Sequence, residues 1–224
     1  AYFQPIVDTN TKVIHKYEAL IRYITKDGVE IAPYNFINVA KKTKLYPNII
    51  KIVIQDAFKL IKNKNKRVSV NISFDDIANE ETTTFIYEIL EQHKEYTKFL
   101  EFEILESEEI SDFNEVSRFI SEIKKFDCIV GVDDFGAGYS NFNLLTLLDI
   151  DFVKIDGSLI EKITTSKDLE IIVNTIANFS KEFKVKTVAE YVSNEDIYNK
   201  IKELNIDYCQ GYYFDRPLSY DNVK

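Results

Sequence analysis

The stretch CIVGVDDFGAGYS, residues 128–140, sets the fold class of this chain. Its first part, Cys128–Asp133, is a short run rich in Val and Ile, which predicts a buried strand. That strand ends in two adjacent carboxylates, Asp133 and Asp134. Two glycines in the three residues after Phe135 predict a tight turn or a loop that closes over a ligand. A buried strand that ends in acids and a glycine turn is typical of a βα unit with a functional end.

Seven other segments share this strand-like character, and helix-like segments lie between most of them. The strand candidates are Phe3–Val7, Val13–Arg22, Arg67–Ile72, Phe99–Leu105, Phe152–Asp156, Lys186–Glu190 and Tyr208–Gly211; the helix candidates include Ile49–Ile61, Thr84–His93, Val116–Phe126 and Leu169–Phe183. The alternation predicts an α/β fold with a largely parallel sheet. Eight strands favour a (β/α)8 barrel of the TIM type, with an open doubly wound sheet as the alternative. The polar stretch Asp8–Lys12 predicts a hairpin between the first two strands.

Composition narrows the class of protein further. The chain has 224 residues, of which 45% are hydrophobic, enough for one well-buried domain. The net charge of -9 disfavours nucleic-acid polymers and anionic membranes as partners. No apolar run approaches the roughly 18 residues of a membrane span. We therefore expect one domain that does not insert into a membrane.

The cysteines predict the cellular compartment of the protein, and the start of the chain predicts its domain context. Cys128 and Cys209 stand in apolar segments, which predicts two buried free thiols in a reducing cytoplasm. With two histidines and no cysteine cluster, a zinc site of the usual nitrogen and sulfur type is disfavoured. The sequence begins without Met, almost directly in a strand. We expect a domain cut from a longer protein.

Charged side chains stand where several of the predicted strands end. These are Glu18, Glu103, Asp133, Asp134 and Glu190, joined by Asn71 and Lys154. In a parallel barrel the carboxyl ends of the strands open on one rim, so these groups should converge there. Taken singly, each would be read as an edge residue, a turn residue or half of an ion pair. Together, they predict a site for Mg²⁺ or Mn²⁺, because hard oxygen ligands select these ions over zinc.

Seven motifs in register carry a resemblance to a known family. They are EALIR (18–22), VNIS (70–73), FEILES (102–107), VDDFGAGYSN (132–141), VKIDGSLI (153–160), VAEYV (188–192) and QGYYFDRPL (210–218). In this order they resemble the EAL-domain cyclic-di-GMP phosphodiesterases, over essentially the whole chain from Phe3 to Leu218. The resemblance implies that residues 1–224 are an EAL phosphodiesterase domain of a multidomain bacterial signalling protein. That protein would be cytoplasmic, or membrane-attached with this domain on the cytoplasmic side.

The resemblance also implies a barrel whose first strand is antiparallel to the others, and a role for each site residue. The metal ligands would be Glu18, Asn71, Glu103, Asp133, Asp134 and Glu190; the catalytic residues Lys154, Glu190 and Glu18; the substrate-binding residues Gln4, Arg22 and Gln210. Two divalent cations, Mg²⁺ or Mn²⁺, would activate a water that hydrolyses cyclic-di-GMP to linear 5′-pGpG. A homodimer through the region of the DDFG loop is a further implication.

The chain departs from the family pattern at several positions. Leu105 stands where Thr is usual, Asn141 where Ser is usual, and Tyr191 and Ser193 where the family has Gly and Glu. These changes keep open a second interpretation, a catalytically weak or inactive domain that acts as a cyclic-di-GMP receptor. A barrel enzyme acting on another phosphodiester is a third. The retained strand-end residues favour the enzyme.

Overall fold

A computed structural model describes residues 1–41, 43, 46–105, 113–137, 142 and 144–224. The departure at Asn141, the end of the FEILES motif and most of the loop after Gly136 lie outside these ranges. Among the described residues, no helix combines the length and the apolar character needed to cross a bilayer.

In the described part of the chain, eight of the ten strands close into a barrel. The strands are β1 Tyr2–Asp8, β2 Ile14–Leu20, β3 Tyr23–Ile24, β4 Glu30–Ile31, β5 Val68–Ile72, β6 Leu100–Leu105, β7 Ile129–Phe135, β8 Phe152–Ile155, β9 Lys186–Ala189 and β10 Tyr208–Gln210. Their order around the barrel is β1-β10-β9-β8-β7-β6-β5-β2, and β3 and β4 form a separate hairpin. The closed order confirms the predicted barrel and rules out the open sheet.

Helices follow most of the barrel strands and cover their outer faces. They are α1 Ile37–Lys41, α2 Tyr46–Lys64, α3 Phe74–Ala78, α4 Glu80–Gln92, α5 Phe113–Lys124, α6 Leu144–Leu147, α7 Gly157–Ile160, α8 Lys167–Glu182 and α9 Glu195–Glu203. The four predicted helices correspond to α2, α4, α5 and α8. Their apolar faces pack on the outward residues of the strands in one continuous core.

The first strand runs against the direction of its neighbours, as the resemblance implied. β1 pairs antiparallel with both β2 and β10, whereas the other barrel pairs are parallel. The predicted hairpin between β1 and β2 forms: the Asp8 amide donates to the Val13 carbonyl at 2.9 Å, and Lys12 has a φ of 58°. The reversal brings Gln4 opposite Glu18 in the register. A residue early in β1 thus lies at the rim where the parallel strands end.

The inside of the barrel is packed as well as its outside. Ile6, Phe152 and Val188 form a buried cluster across the lumen, although β1 is not adjacent to β8 or β9. A Cβ at Gly131 would lie 2.3 Å from Cζ of Phe152, so glycine is required for this ring to fit. The packed lumen supports the rim from below.

Candidate metal-dependent active site

One rim of the barrel collects the polar residues that the sequence placed at strand ends. Glu18, Asn71, Glu103, Asp133 and Lys154 stand in the last part of β2, β5, β6, β7 and β8, Glu190 directly follows β9, and Gln210 ends β10. Asn71 and Glu103 are direct partners in the parallel register, as are Gln4 and Glu18 in the antiparallel one. All eight are buried or half-buried. The expected convergence is therefore present.

Lys154 stands at the centre of this cluster. Its Nζ lies 2.8 Å from Asp133 Oδ1, 2.9 Å from Glu190 Oε1, 3.1 Å from Glu103 Oε2 and 3.2 Å from Glu18 Oε2. The side chain is 1% exposed. One buried ammonium therefore meets four carboxylates, which leaves an excess of negative charge that further cations would relieve.

Amide side chains hold Glu18 from two sides. Asn71 Nδ2 donates to Oε1 and Gln210 Nε2 donates to Oε2, each at 2.7 Å. The amide oxygens of both residues are buried and have no hydrogen-bond partner among the described residues. A buried unpaired oxygen is costly unless something binds it.

Burial and mutual repulsion displace the pKa values of these acids. Burial raises the pKa of Asp133 well above its usual value, since repulsion from Glu190 and Glu103 adds to it despite Lys154. Burial likewise raises the pKa of Glu190 to about 7. Glu103 differs: burial would raise its pKa, but Lys154 and Lys16 outweigh that effect and lower it. Burial alone would lower the pKa of Lys154, yet the carboxylates around it hold it well above the usual value.

The turn after β7 presents the second aspartate. The pairing of β7 with β8 is irregular between Val132 and Phe135, and Asp134 has a φ of 55°. A left-handed residue at this point turns the chain, and the Asp134 amide donates to Asp133 Oδ1 at 3.1 Å. Burial raises the pKa of Asp134, and the charge of Asp156 adds to the effect.

The donor set fits hard divalent cations. Two groups of three carboxylates have ligand atoms within 4.8 Å of one another: Glu18, Glu103 and Asp133, and Asp133, Asp134 and Glu190. Asp133 belongs to both groups. Asn71 contacts Glu18 of the first group through its Nδ2, and its oxygen has no hydrogen-bond partner among the described residues. Oxygen-only ligands of this kind suit Mg²⁺ and Mn²⁺.

A second charged layer inside the barrel lies below the rim and was missed by the sequence analysis. Lys16 Nζ contacts Glu101 Oε2 at 2.7 Å and Glu103 Oε1 at 3.3 Å, and lies 3.4 Å from the ring centroid of Phe152. Arg67 reaches the other Glu101 oxygen at 3.5 Å. Lys16 and Glu101 stand two residues before Glu18 and Glu103, so strand alternation puts each pair on one face. This two-residue spacing is the sequence feature that could have predicted the inner layer.

Replacing Lys16 by Met should strongly destabilise the fold, because Glu101 would remain buried without its main cation. We expect the free energy of unfolding to fall by about 3–5 kcal/mol, measured by urea denaturation of the metal-free protein. Lys51→Met, which breaks an ion pair with the largely exposed Glu81, is the control and should cost less than about 1 kcal/mol. Equal losses in the two variants would contradict a special role for the inner layer.

The raised pKa of Glu190 predicts a particular pH dependence of stability. The carboxyl titrates near 4.5 when unfolded and near 7 in the folded, metal-free protein. Between these values the folded state binds more protons, so the free energy of unfolding contributed by this group falls as pH rises. Thermal unfolding in chelator from pH 5 to pH 8 should show a steeper loss for the wild type than for Glu190→Gln. Parallel curves would refute the assignment.

A cavity of about 270 Å³ opens directly above the acids. Its lining includes Glu18, Asp133, Lys154 and Glu190 below, with Gln4, Gln210, Leu20, Ser193, Gly211, Tyr191 and Tyr212 around them. Two of the three expected substrate-binding residues, Gln4 and Gln210, therefore face this cavity. Arg22 does not line it: its guanidinium donates to the Ile21 carbonyl at 2.9 Å and lies 5.8 Å from the ring centroid of Tyr2.

A closed barrel with a cluster of carboxylates on its carboxyl rim, which could hold divalent cations, defines the class of protein. The model of the EAL domain family matches residues 1–217. The chain therefore belongs to the EAL domain family.

Individual relatives agree with this assignment. The cyclic di-GMP phosphodiesterase PdeB of Shewanella oneidensis is 29% identical over 96% of this chain and 26% of the relative. PdeA of Borreliella burgdorferi, another cyclic di-GMP phosphodiesterase, is 29% identical over 96% of this chain and 33% of the relative. The chain thus spans about a quarter to a third of these curated proteins.

Solved structures show the same fold. An EAL domain protein from Listeria monocytogenes superimposes with a TM-score of 0.92 at 32% identity, covering 100% of this chain and 90% of the other. The PaMucR phosphodiesterase in complex with c-di-GMP superimposes with a TM-score of 0.90 at 25% identity, covering 100% of this chain and 93% of the other.

Proposed function

We propose that this domain hydrolyses cyclic-di-GMP to linear 5′-pGpG with the help of two divalent cations, Mg²⁺ or Mn²⁺. The observation that carries the proposal is the pair of carboxylate groups sharing Asp133 around the buried Lys154. Two such ion sites on one rim suit the in-line cleavage of a phosphodiester. The relatives named as cyclic di-GMP phosphodiesterases support this choice of substrate.

Some residues of the rim would bind the metal ions, and others would act on the attacking water. Glu18, Asn71, Glu103 and Asp133 would hold one ion, and Asp133, Asp134 and Glu190 the other. Bound there, the ions would supply Lewis acidity and a water of lowered pKa. Lys154 lies within hydrogen-bond reach of acids from both groups, so its ammonium would orient the attacking water and stabilise negative charge near the phosphorus. Glu190, whose Oε1 lies 2.9 Å from Lys154 Nζ, would accept the proton of that water.

The chemistry consumes one water per bond opened. A bond forms between the water oxygen and one phosphorus, and the bond from that phosphorus to the 3′-oxygen breaks. The 3′-oxygen leaves with a proton, which gives a 3′-hydroxyl and a 5′-phosphate in pGpG. Gln4 and Gln210 at the cavity wall would hold the substrate beside the acids. Arg22 would join them on the outside of the cavity, as a contact to a phosphate or base.

Turnover of cyclic-di-GMP by the purified domain tests the proposal. With Mg²⁺ or Mn²⁺ we expect pGpG as the product, and chelation should stop its formation. Glu18→Ala should be inactive, because it removes a carboxylate that contacts Lys154, Asn71 and Gln210. Glu81→Ala, an exposed acid on α4, is the matched control and should retain activity. A product other than pGpG, or turnover without metal, would refute the proposed reaction.

The receptor interpretation is a second candidate, favoured by the departures at Leu105, Tyr191 and Ser193. Tyr191 and Ser193 line the same cavity as the acids, so they would alter what binds there. Tight binding of cyclic-di-GMP without product in any metal would establish it. The enzyme remains the first proposal, because the chain has every carboxylate that the family resemblance assigns to the metal site.

The proposal also includes the cellular compartment and the oligomeric state of the domain. Two buried free cysteines agree with a reducing cytoplasm. A homodimer through the region of the DDFG loop stays a prediction, because most of that loop lies outside the described residues. Sedimentation of the purified domain would test it.

A further inference from the structure

Two exposed tyrosines stand in the wall of the cavity. Tyr191 is 69% exposed and Tyr212 is 58% exposed, and both line the space above the acids. A single exposed aromatic residue needs no explanation. Two on one side of a cavity that also contains buried carboxylates indicate a surface kept open for a flat, partly apolar ligand.

The backbone fixes these two tyrosines relative to each other. The Val192 amide donates to the Gln210 carbonyl at 3.0 Å, and the Tyr213 amide donates to the Val192 carbonyl at 3.1 Å. A Cβ at Gly211 would lie 2.1 Å from the Val192 carbonyl oxygen, so glycine is required for this close approach. The segments that carry Tyr191 and Tyr212 are thus bonded directly to each other.

Each ring is also supported from one side. A Cβ at Gly157 would lie 2.6 Å from Cδ2 and 2.9 Å from Cγ of Tyr191, so this ring rests on the bare backbone at the start of α7. Tyr191 adopts a φ of 56°, a region that residues with a Cβ enter rarely. Arg216 lies 4.2 Å from the ring centroid of Tyr212. Both rings are held in place while a large part of each stays accessible.

We propose that Tyr191, supported by Tyr212, is the stacking surface for one purine base of the substrate. This inference rests on the proposed function and adds a residue that determines base binding. Tyr191 directly follows Glu190 in the chain, so a base stacked there would place its own phosphate near the acids. Gln4, whose side chain lines the same cavity, offers an amide for the edge of the base. Stacking on an aromatic ring accepts any base face, and the amide adds selectivity.

The test compares Tyr191→Ala with Tyr191→Phe and with Phe183→Ala. Phe183 follows α8 at the opposite end of the barrel and is the exposed aromatic control. Tyr191→Ala should weaken cyclic-di-GMP binding and raise KM about tenfold, with kcat within about twofold of wild type. Tyr191→Phe should keep the wild-type affinity, because the ring is retained. Binding is measured with Ca²⁺ by calorimetry, using cyclic-di-GMP itself.

A fluorescent probe separates stacking from a general structural effect. A cyclic dinucleotide in which 2-aminopurine replaces one guanine should lose emission on binding to the wild type, and Tyr191→Ala should restore most of it. An unchanged affinity and unchanged quenching in Tyr191→Ala would overturn the proposal. Binding without hydrolysis by the wild type would defeat the proposed reaction, while the affinity comparison would still decide the role of Tyr191. No binding by the wild type would overturn both.

Discussion

Glu103→Gln is expected to lower kcat/KM for cyclic-di-GMP by about 10³-fold. Glu103 is fully buried, with Oε1 3.3 Å from Lys16 Nζ and Oε2 3.1 Å from Lys154 Nζ. Apart from this ion pair, Oε2 has no hydrogen-bond partner among the described residues, so it is a candidate ligand for an ion. Glutamine preserves the shape of the side chain but removes the charge, so the first carboxylate group should lose affinity for its metal.

The measurement combines turnover with metal titration. Mn²⁺ binding followed by electron paramagnetic resonance should be clearly weaker in Glu103→Gln than in the wild type. Thermal unfolding of both proteins in chelator checks that the variant is folded. Glu81→Gln on the surface of α4 is the control of the same residue type. Wild-type metal affinity together with wild-type kcat/KM in Glu103→Gln would contradict the metal role of this group.

Lys154→Met should have two large effects of different origin. Activity should fall by about 10³-fold, because the ammonium that would orient water and stabilise charge is lost. Stability of the metal-free protein should fall by about 3–5 kcal/mol, because three buried carboxylates and the half-buried Glu190 lose their shared cation. Added divalent ions should separate the two effects. They supply the missing positive charge and so restore stability, but they do not replace the ammonium group and so do not restore activity.

The expected pattern follows from the charges. At pH 8, Mg²⁺ should raise the unfolding midpoint of Lys154→Met more than that of the wild type, while activity stays low. At pH 6 the stability loss should be smaller, because burial raises the pKa values of Asp133 and Glu190 and favours their neutral forms. Lys51→Met serves as the surface control. A variant as stable as the wild type in chelator at pH 8 would contradict the shared-cation role of Lys154.

Most of the fold could be predicted from the sequence, because barrel strands buried on both faces stand out as apolar runs. All eight were found, and each end differs from the observed one by at most two residues. The short strands β3 and β4 were missed: β2 ends at Leu20, and Tyr23–Ile24 pairs with β4 in a separate hairpin. Such a two-residue strand is set by a local partner and has no periodicity to detect.

The rim acids could also be predicted, because a charge at the end of an apolar strand is unusual. The inner layer of Lys16 and Glu101 was missed, although its two-residue spacing from Glu18 and Glu103 was a signal, since a charged residue within a strand is ordinarily assigned to solvent. Tyr191 was noted only as a departure from the family pattern. Its left-handed backbone conformation and the packing of its ring against Gly157 depend on tertiary contacts. The position of Arg22 outside the cavity lining likewise depends on tertiary contacts, since its guanidinium lies near the ring of Tyr2.

The most direct test of the central claim is a single-turnover experiment with the purified domain in excess over labelled cyclic-di-GMP and saturating Mn²⁺. Under these conditions slow catalysis and weak substrate affinity no longer hide the chemistry. Complete conversion of the label to pGpG, absent in Glu103→Gln, is the result we expect. Label that is bound by the protein but recovered intact as cyclic-di-GMP would contradict the phosphodiesterase and establish a receptor.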